Sequence, residues 1–159
     1  MLFQRINRSN PEKMFIVVYN SWSSASLTNG QSVVWDYAAD ADGVGVTKPT
    51  ASNKAGGKHY GAAFAGIVAE TIASGAYGLI QVYGYHSAVR VRTVTGGKPA
   101  GAAGVALSQQ NAIFALETVL GEIPATSTVT QCVWEINGFM LAAQASYTTK
   151  AVACFIKAL

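Results

Sequence analysis

Charged side chains are scarce in this sequence of 159 residues, because only 12% of them are Asp, Glu, Lys or Arg. That share is about half of what a soluble domain usually carries. Apolar residues make up 50% of the chain, so little polar surface remains for a fully solvated protein. We expect other subunits to cover part of the surface; the alternative is an uncharged β surface rich in Ser, Thr and Asn.

Long apolar runs and dense basic runs are also missing. No stretch reaches the roughly 18 apolar residues of a membrane span, and the N-terminal residues 1–13 lack the apolar segment of a signal peptide. The net charge is +3, but the basic residues are scattered, with Arg90 and Arg92 on one predicted strand face. We therefore expect neither a membrane partner nor a specific nucleic-acid partner.

Cysteine and histidine are rare, with two copies of each. Cys132, Cys154, His59 and His86 show no metal-ligand spacing, so no metal and no cofactor are predicted. The two cysteines fall in separate predicted strands and could pair if those strands are neighbours. Because nothing indicates export, buried free thiols are favoured.

No catalytic motif is present either. Neither histidine lies in a recognisable motif, and the sequence has no Gly-x-Ser-x-Gly elbow and no phosphate-binding loop. The carboxylates number only eight, and a pair such as Asp36 with Glu70 could meet only through the fold. We predict that the protein is not an enzyme.

What the sequence does contain is centred on residues 61–94. Two β-strands are predicted at 64–72 and 77–91, joined by a short turn in which Gly75 supplies a positive φ. Ile80 and Val82 share one face of the second strand, whereas Leu79, Tyr83 and Tyr85 share the other.

Further short strands are predicted along the chain, at 14–19, 32–37, 44–46, 126–137 and 148–159. Asn29-Gly30 is typical of a hairpin turn, and the 32–37 strand is predicted to be the return strand of the hairpin that begins with the 14–19 strand. Residues 106–120 fit a helix and a strand equally well, so one short helix around 107–120 stays open. The spacing predicts a mainly all-β fold, a small β-barrel or β-sandwich with long loops.

The predicted organisation is an N-terminal arm at 1–13 and a single β domain at 14–159 with an extended loop at 47–60. Aromatic side chains offer either a sugar platform or a protein-binding hot spot. Trp22 lies between two serines in a polar segment, so we expect it at an interface.

Residues 65–84, which read AGIVAETIASGAYGLIQVYG, resemble small structural proteins of tailed-bacteriophage virions that decorate or cement the capsid. A strand with an apolar-Gly-apolar run turns through a glycine and returns as a Gly-apolar-apolar-Gln-Val-aromatic-Gly strand. The segments 9–20 and 26–30 and the closing residues 154–159 are similar to the same proteins.

The resemblance implies a β-barrel-like protein on the capsid surface of the virion, made in the bacterial host cytoplasm. Its partner would be the major capsid protein, and it would be a homo-oligomer, with a trimer favoured. Alternatives are a glycan-binding or adhesion module of the virion that uses Trp22 and the tyrosines, and a head-tail connector or tail structural component. The residues that we expect to contact the capsid are Phe3, Arg5, Arg8, Trp22, Lys54 and Lys58.

Overall fold

The computed structural model describes residues 12–37, 39–40, 43–49, 64–92, 106–108, 118–122, 136–142 and 149–158. Within these ranges the secondary structure is all β. The strands are β1 Met14–Asn20, β2 Ser32–Trp35, β3 Gly45–Thr47, β4 Phe64–Val68, β5 Tyr77–Arg92, β6 Ala106–Ser108, β7 Leu120–Glu122, β8 Gly138–Met140 and β9 Lys150–Lys157.

Five strands close into a barrel in the order β1-β3-β2-β4-β5, and β5 pairs back with β1. The β1–β3 pair is parallel, with Tyr19 opposite Gly45. The other four pairs are antiparallel. Closure gives every strand of this barrel a neighbour on both sides, although β1 pairs with β3 only at Tyr19 and Asn20.

The remaining strands form a second ring on the other half of β5, in the order β5-β7-β6-β8-β9, and β9 pairs back with β5. β5 is long enough for both roles because it has 16 residues. The exchange of partners occurs at Tyr83, which lies opposite Met14 of β1 and opposite Lys157 of β9. The two rings therefore share one strand.

Each ring has its own apolar core. Every strand of the first ring contributes to one cluster, which contains Val18, Leu27, Val33, Val46, Ala65, Val68, Ile72, Ile80 and Val82. Every strand of the second ring contributes to the other, which contains Phe64, Ile67, Val89, Val91, Leu107, Leu120, Met140, Val152, Cys154 and Ile156. β4 supplies side chains to both clusters, which explains why all five of its residues are buried. A strand covered on both faces needs no polar alternation.

The predicted fold class is confirmed, since the chain forms a closed β-barrel with additional strands. The predicted antiparallel pairing of the strands at 64–72 and 77–91 is also confirmed by β4 and β5, and Gly75 lies in the turn before β5 with a φ of 73°. The first strand is shorter than predicted, because β4 ends at Val68 and Ile72 forms a bridge to Leu27 instead. In the open segment 106–120, the described ends form strands at 106–108 and 120–122. The residues between them, 109–117, lie outside the described ranges.

One predicted pairing is wrong. Asn29-Gly30 forms a turn, but β2 does not return along β1; it pairs with β3 and β4. The residues before the turn are not a strand, and Leu27 makes an isolated bridge to Ile72 instead. Leu27 is fully buried in the first core, so its burial next to Ile72 directs the chain away from β1.

Several predicted features lie outside the described residues. These are most of the N-terminal arm, most of the loop at 47–60, Cys132 and residues 126–135 of the strand predicted at 126–137, whose described residues 136 and 137 are not in a strand. The predicted domain limits therefore stay predictions.

Candidate interaction surface

An apolar face lies on the outside of the first ring, where β1 and β5 pair. Val17 lies opposite Leu79 and Tyr19 opposite Tyr77, and directly opposite residues of an antiparallel pair share one face. Val17 is 58% exposed, Tyr77 68% and Leu79 37%. The Tyr19 and Tyr77 rings contact each other at a centroid distance of 5.2 Å. Together with Phe15, which is also exposed, these five side chains are called the β1–β5 face below.

An aromatic group continues this surface onto the second ring. Met14 lies opposite Tyr83 at the exchange point. The Tyr83 ring meets the edge of Phe155 with centroids 5.1 Å apart, and Phe155 stacks on Phe139 at 5.3 Å. Phe139 is exposed, so aromatic surface extends from β5 across β9 to β8.

Every strand in the described part of the chain is paired on both sides. Closed rings leave little free strand edge for another chain to extend. We therefore consider the exposed apolar side chains as the surface through which a protein partner of the described region would bind.

A small polar cleft opens next to the β1–β5 face. It has a volume of about 170 Å³ and is lined by Lys13, Phe15, Asn29, Ala69, Gln81, His86 and Ser87. Gln81 and His86 are buried polar residues of β5. The Gln81 amide nitrogen donates to the carbonyl oxygens of Tyr83 and Tyr85, each at 3.0 Å. These bonds fix the Gln81 side chain along its own strand, where β5 changes partners.

His86 is held as a neutral imidazole. Its Nδ1 accepts a hydrogen bond from the Ala88 backbone N–H at 3.1 Å, so this nitrogen carries no proton. Burial lowers the pKa of His86, a hydrogen bond to the Val68 backbone opposes that effect, and the positive charge of Lys13 lowers the pKa further. His86 therefore adds no charge to the cleft at neutral pH.

Of the residues expected to contact a capsid, only Trp22 lies within the described ranges; Phe3, Arg5, Arg8, Lys54 and Lys58 lie outside them. Trp22 is half-buried and packs against the first core. The Lys48 ammonium lies 4.9 Å from the centroid of its ring, and the Ser74 hydroxyl donates to its carbonyl oxygen at 2.9 Å. Trp22 is therefore held by contacts within the protein and is not one of the five side chains of the β1–β5 face, which the sequence did not single out.

The signal for the β1–β5 face is present in the sequence of β1. Five of its seven residues, MFIVV, form an apolar run without polar alternation, and such a run is typical of a strand covered on both faces. Among the residues that the structure describes, only one face of β1 is covered, and Phe15 and Val17 on the other face are exposed.

Three carboxylates and one thiol in the described part of the chain are engaged in structural contacts. Asp36 accepts from the Ser21 hydroxyl at 2.6 Å, Asp40 from the Gly45 N–H at 2.9 Å, and Glu70 from the Leu79 N–H at 3.0 Å. Cys154 is a free thiol inside the second core, and burial raises its pKa to about 12. No group of three or more potential metal ligands occurs among the residues described.

The described residues include no helix with the length and apolarity needed to span a bilayer. In comparisons with protein-family models, with curated proteins and with solved structures, nothing matches this chain.

Proposed function

We propose that the protein is a structural component of a phage virion that binds the outside of the assembled capsid and bridges its major capsid subunits. The observation that carries this proposal is the β1–β5 face, on which Val17 and Tyr77 are more than half exposed. Neighbouring exposed apolar side chains of this kind are typical of a surface that another protein covers. The low charge content and the resemblance of residues 65–84 to capsid decoration proteins support the same function.

The β1–β5 face of one copy provides only a modest binding free energy, so tight binding requires several copies. Burying the four most exposed side chains of the β1–β5 face contributes about 1 kcal/mol each, or about 4 kcal/mol per copy. That gain is offset in large part by the entropy lost on association. A single copy would therefore bind weakly, but a homo-oligomer such as a trimer engages several sites at once and binds with high avidity. Each bridge would then resist outward pressure from the packaged DNA.

The proposal is tested by cosedimentation of the purified protein with undecorated, expanded phage shells. Near-stoichiometric binding to expanded shells and none to unexpanded shells is expected. The variant Val17→Glu places a charge on the β1–β5 face and should abolish binding. Thr149→Glu is the matched control, because Thr149 is exposed and precedes Lys150, which pairs with Val91 at the end of β5 remote from Tyr77. Absence of binding by the unmodified protein refutes the proposal.

A glycan-binding or adhesion module is the second hypothesis. Sugar platforms need an open aromatic face, and the Trp22 ring has the core on one side and the Lys48 ammonium near its centroid. The Tyr83, Phe155 and Phe139 group is more accessible, because Phe139 is exposed. Binding to a glycan array that is lost in Phe139→Ala but retained in Trp22→Ala would favour this function. A head-tail connector or tail component is separated from both by its lower copy number per particle.

A further inference from the structure

We propose that the polar cleft beside the β1–β5 face binds a carboxylate side chain, Asp or Glu, of the protein that covers this face. The inference rests on the proposed function in that it names the chemistry of the partner for the same surface. Its physical basis is the charge, the size and the position of the cleft.

The charge of the cleft is positive, and the described residues that line it include no carboxylate. Lys13 is its only charged lining residue, since His86 is neutral. The Lys13 ammonium lies 5.6 Å from the centroid of the Tyr85 ring, a contact that orients the side chain without neutralising it. No carboxylate of the described residues forms an ion pair with Lys13. An acidic side chain would supply the missing charge.

Two further polar side chains that can donate hydrogen bonds line the same cleft. The side chains of Asn29 and Ser87 are exposed at the cleft and make no hydrogen bond within the described part of the chain. The polar atoms deeper in the cleft are already engaged: Gln81 donates to two carbonyls and His86 accepts from Ala88. The available groups are thus one cation and two short neutral side chains, which suit an acceptor with two oxygens.

The size of the cleft selects a side chain rather than a cofactor. A volume of about 170 Å³ is below the roughly 300 Å³ at which pockets for small organic ligands begin. It accommodates a carboxylate and its methylene groups.

The position of the cleft ties it to the apolar face. Phe15 lines the cleft and is also an exposed member of the β1–β5 face. A partner segment that covers Val17 and Leu79 therefore places a neighbouring side chain over Lys13. The partner sequence should carry an acidic residue next to apolar residues.

The test is an NMR titration of the ¹⁵N-labelled full chain with two peptides, acetyl-Leu-Glu-Leu-amide and acetyl-Leu-Gln-Leu-amide. The Glu peptide should shift the backbone amides of Lys13, Phe15 and Ser87 with a Kd in the millimolar range, about −4 kcal/mol or weaker. The Gln peptide should bind roughly three- to fivefold more weakly, as should the Glu peptide to Lys13→Gln. Lys150→Gln is the matched control, because Lys150 is an exposed lysine at the start of β9, and it should bind like the unmodified protein.

Equal binding of the two peptides, or an undiminished shift in Lys13→Gln, overturns the inference. Stronger shifts of the same amides by inorganic phosphate than by the Glu peptide also overturn it, because they assign the cleft to a free anion. These results are independent of shell binding. If the protein binds shells but does not discriminate between the peptides, the proposed function stands and the acidic partner residue is refuted. If it discriminates between the peptides but does not bind shells, the carboxylate site stands and the capsid function is refuted.

Discussion

Gly84 lies in β5 immediately after Tyr83, where the strand exchanges β1 for β9. Its φ is +97°, a region that residues with a Cβ rarely adopt. A Cβ built on Gly84 would also overlap the backbone carbonyl oxygen of Glu12, just before β1. Gly84→Ala therefore combines backbone strain with a steric clash that no side-chain rotation can relieve, and we expect it to weaken the contact between the two rings.

The magnitude follows from these two contributions. A non-glycine residue at positive φ costs about 1–2 kcal/mol, and forcing extra atoms into a packed site costs about 1–3 kcal/mol. Gly84→Ala should therefore lower the free energy of unfolding by about 2–5 kcal/mol. Gly75→Ala is the control, because Gly75 has a φ of +73° but its added Cβ would meet only the Tyr19 hydroxyl at 3.6 Å. Gly75→Ala should therefore lower the free energy of unfolding only by the cost of the backbone strain, about 1–2 kcal/mol.

Urea unfolding followed by circular dichroism measures both variants, with the midpoint compared at constant m-value. The difference between them isolates the clash between β5 and the segment before β1. If Gly84→Ala costs no more than Gly75→Ala, the close approach of Glu12 to β5 is refuted. A changed m-value would instead indicate that the two rings no longer unfold together.

Three further predictions concern buried side chains. The folded-state pKa of His86 lies below 6.5 because of burial. The free energy of unfolding should therefore be highest above pH 6.5 and fall as the pH decreases through the folded pKa, because only the unfolded chain is readily protonated. Urea midpoints of His86→Gln should lose this part of the pH dependence, and an unchanged profile contradicts the assignment. Cys154 has a pKa of about 12 because it is buried. In a Cys132→Ser background it should therefore resist alkylation by iodoacetamide at pH 8 until urea unfolds the protein. Alkylation of the native protein would place Cys154 outside the core. Ile80→Ala should lower the free energy of unfolding by about 2–5 kcal/mol, because it leaves a cavity. Truncation of its exposed neighbour in Leu79→Ala should lower it by less than about 1 kcal/mol. Equal losses of stability in the two variants would contradict the assigned faces of β5.

The positions of most strands in the described ranges could be predicted because they depend on local patterns. β1, β2 and β9 are apolar or β-branched runs, and the turn at Gly75 needs a residue that tolerates positive φ. The faces of β5 also follow from period-two alternation, since Ile80 and Val82 are in the core whereas Leu79 is exposed.

Pairing could not be predicted in the same way. Asn29-Gly30 predicted that β2 returns along β1, yet β2 pairs with β3 and β4. A turn signal specifies a local reversal, whereas the partner of a strand is chosen by which apolar side chains can be buried together. The cleft was equally hidden, because Lys13, Asn29 and His86 are far apart in sequence and meet only through β5.

The sequence by itself determined an all-β chain, low in charge and without a catalytic motif, since composition and alternation are properties of neighbouring residues. Only the tertiary structure decided that one long strand serves two rings, that β4 is buried on both faces and that β1 is covered on one face alone. The apolar runs of β1 and β4 look alike in the sequence. They differ in the fold because β4 packs against two cores, whereas the outer face of β1 has no second layer in the described part of the chain. That uncovered face is the physical basis of the proposed function.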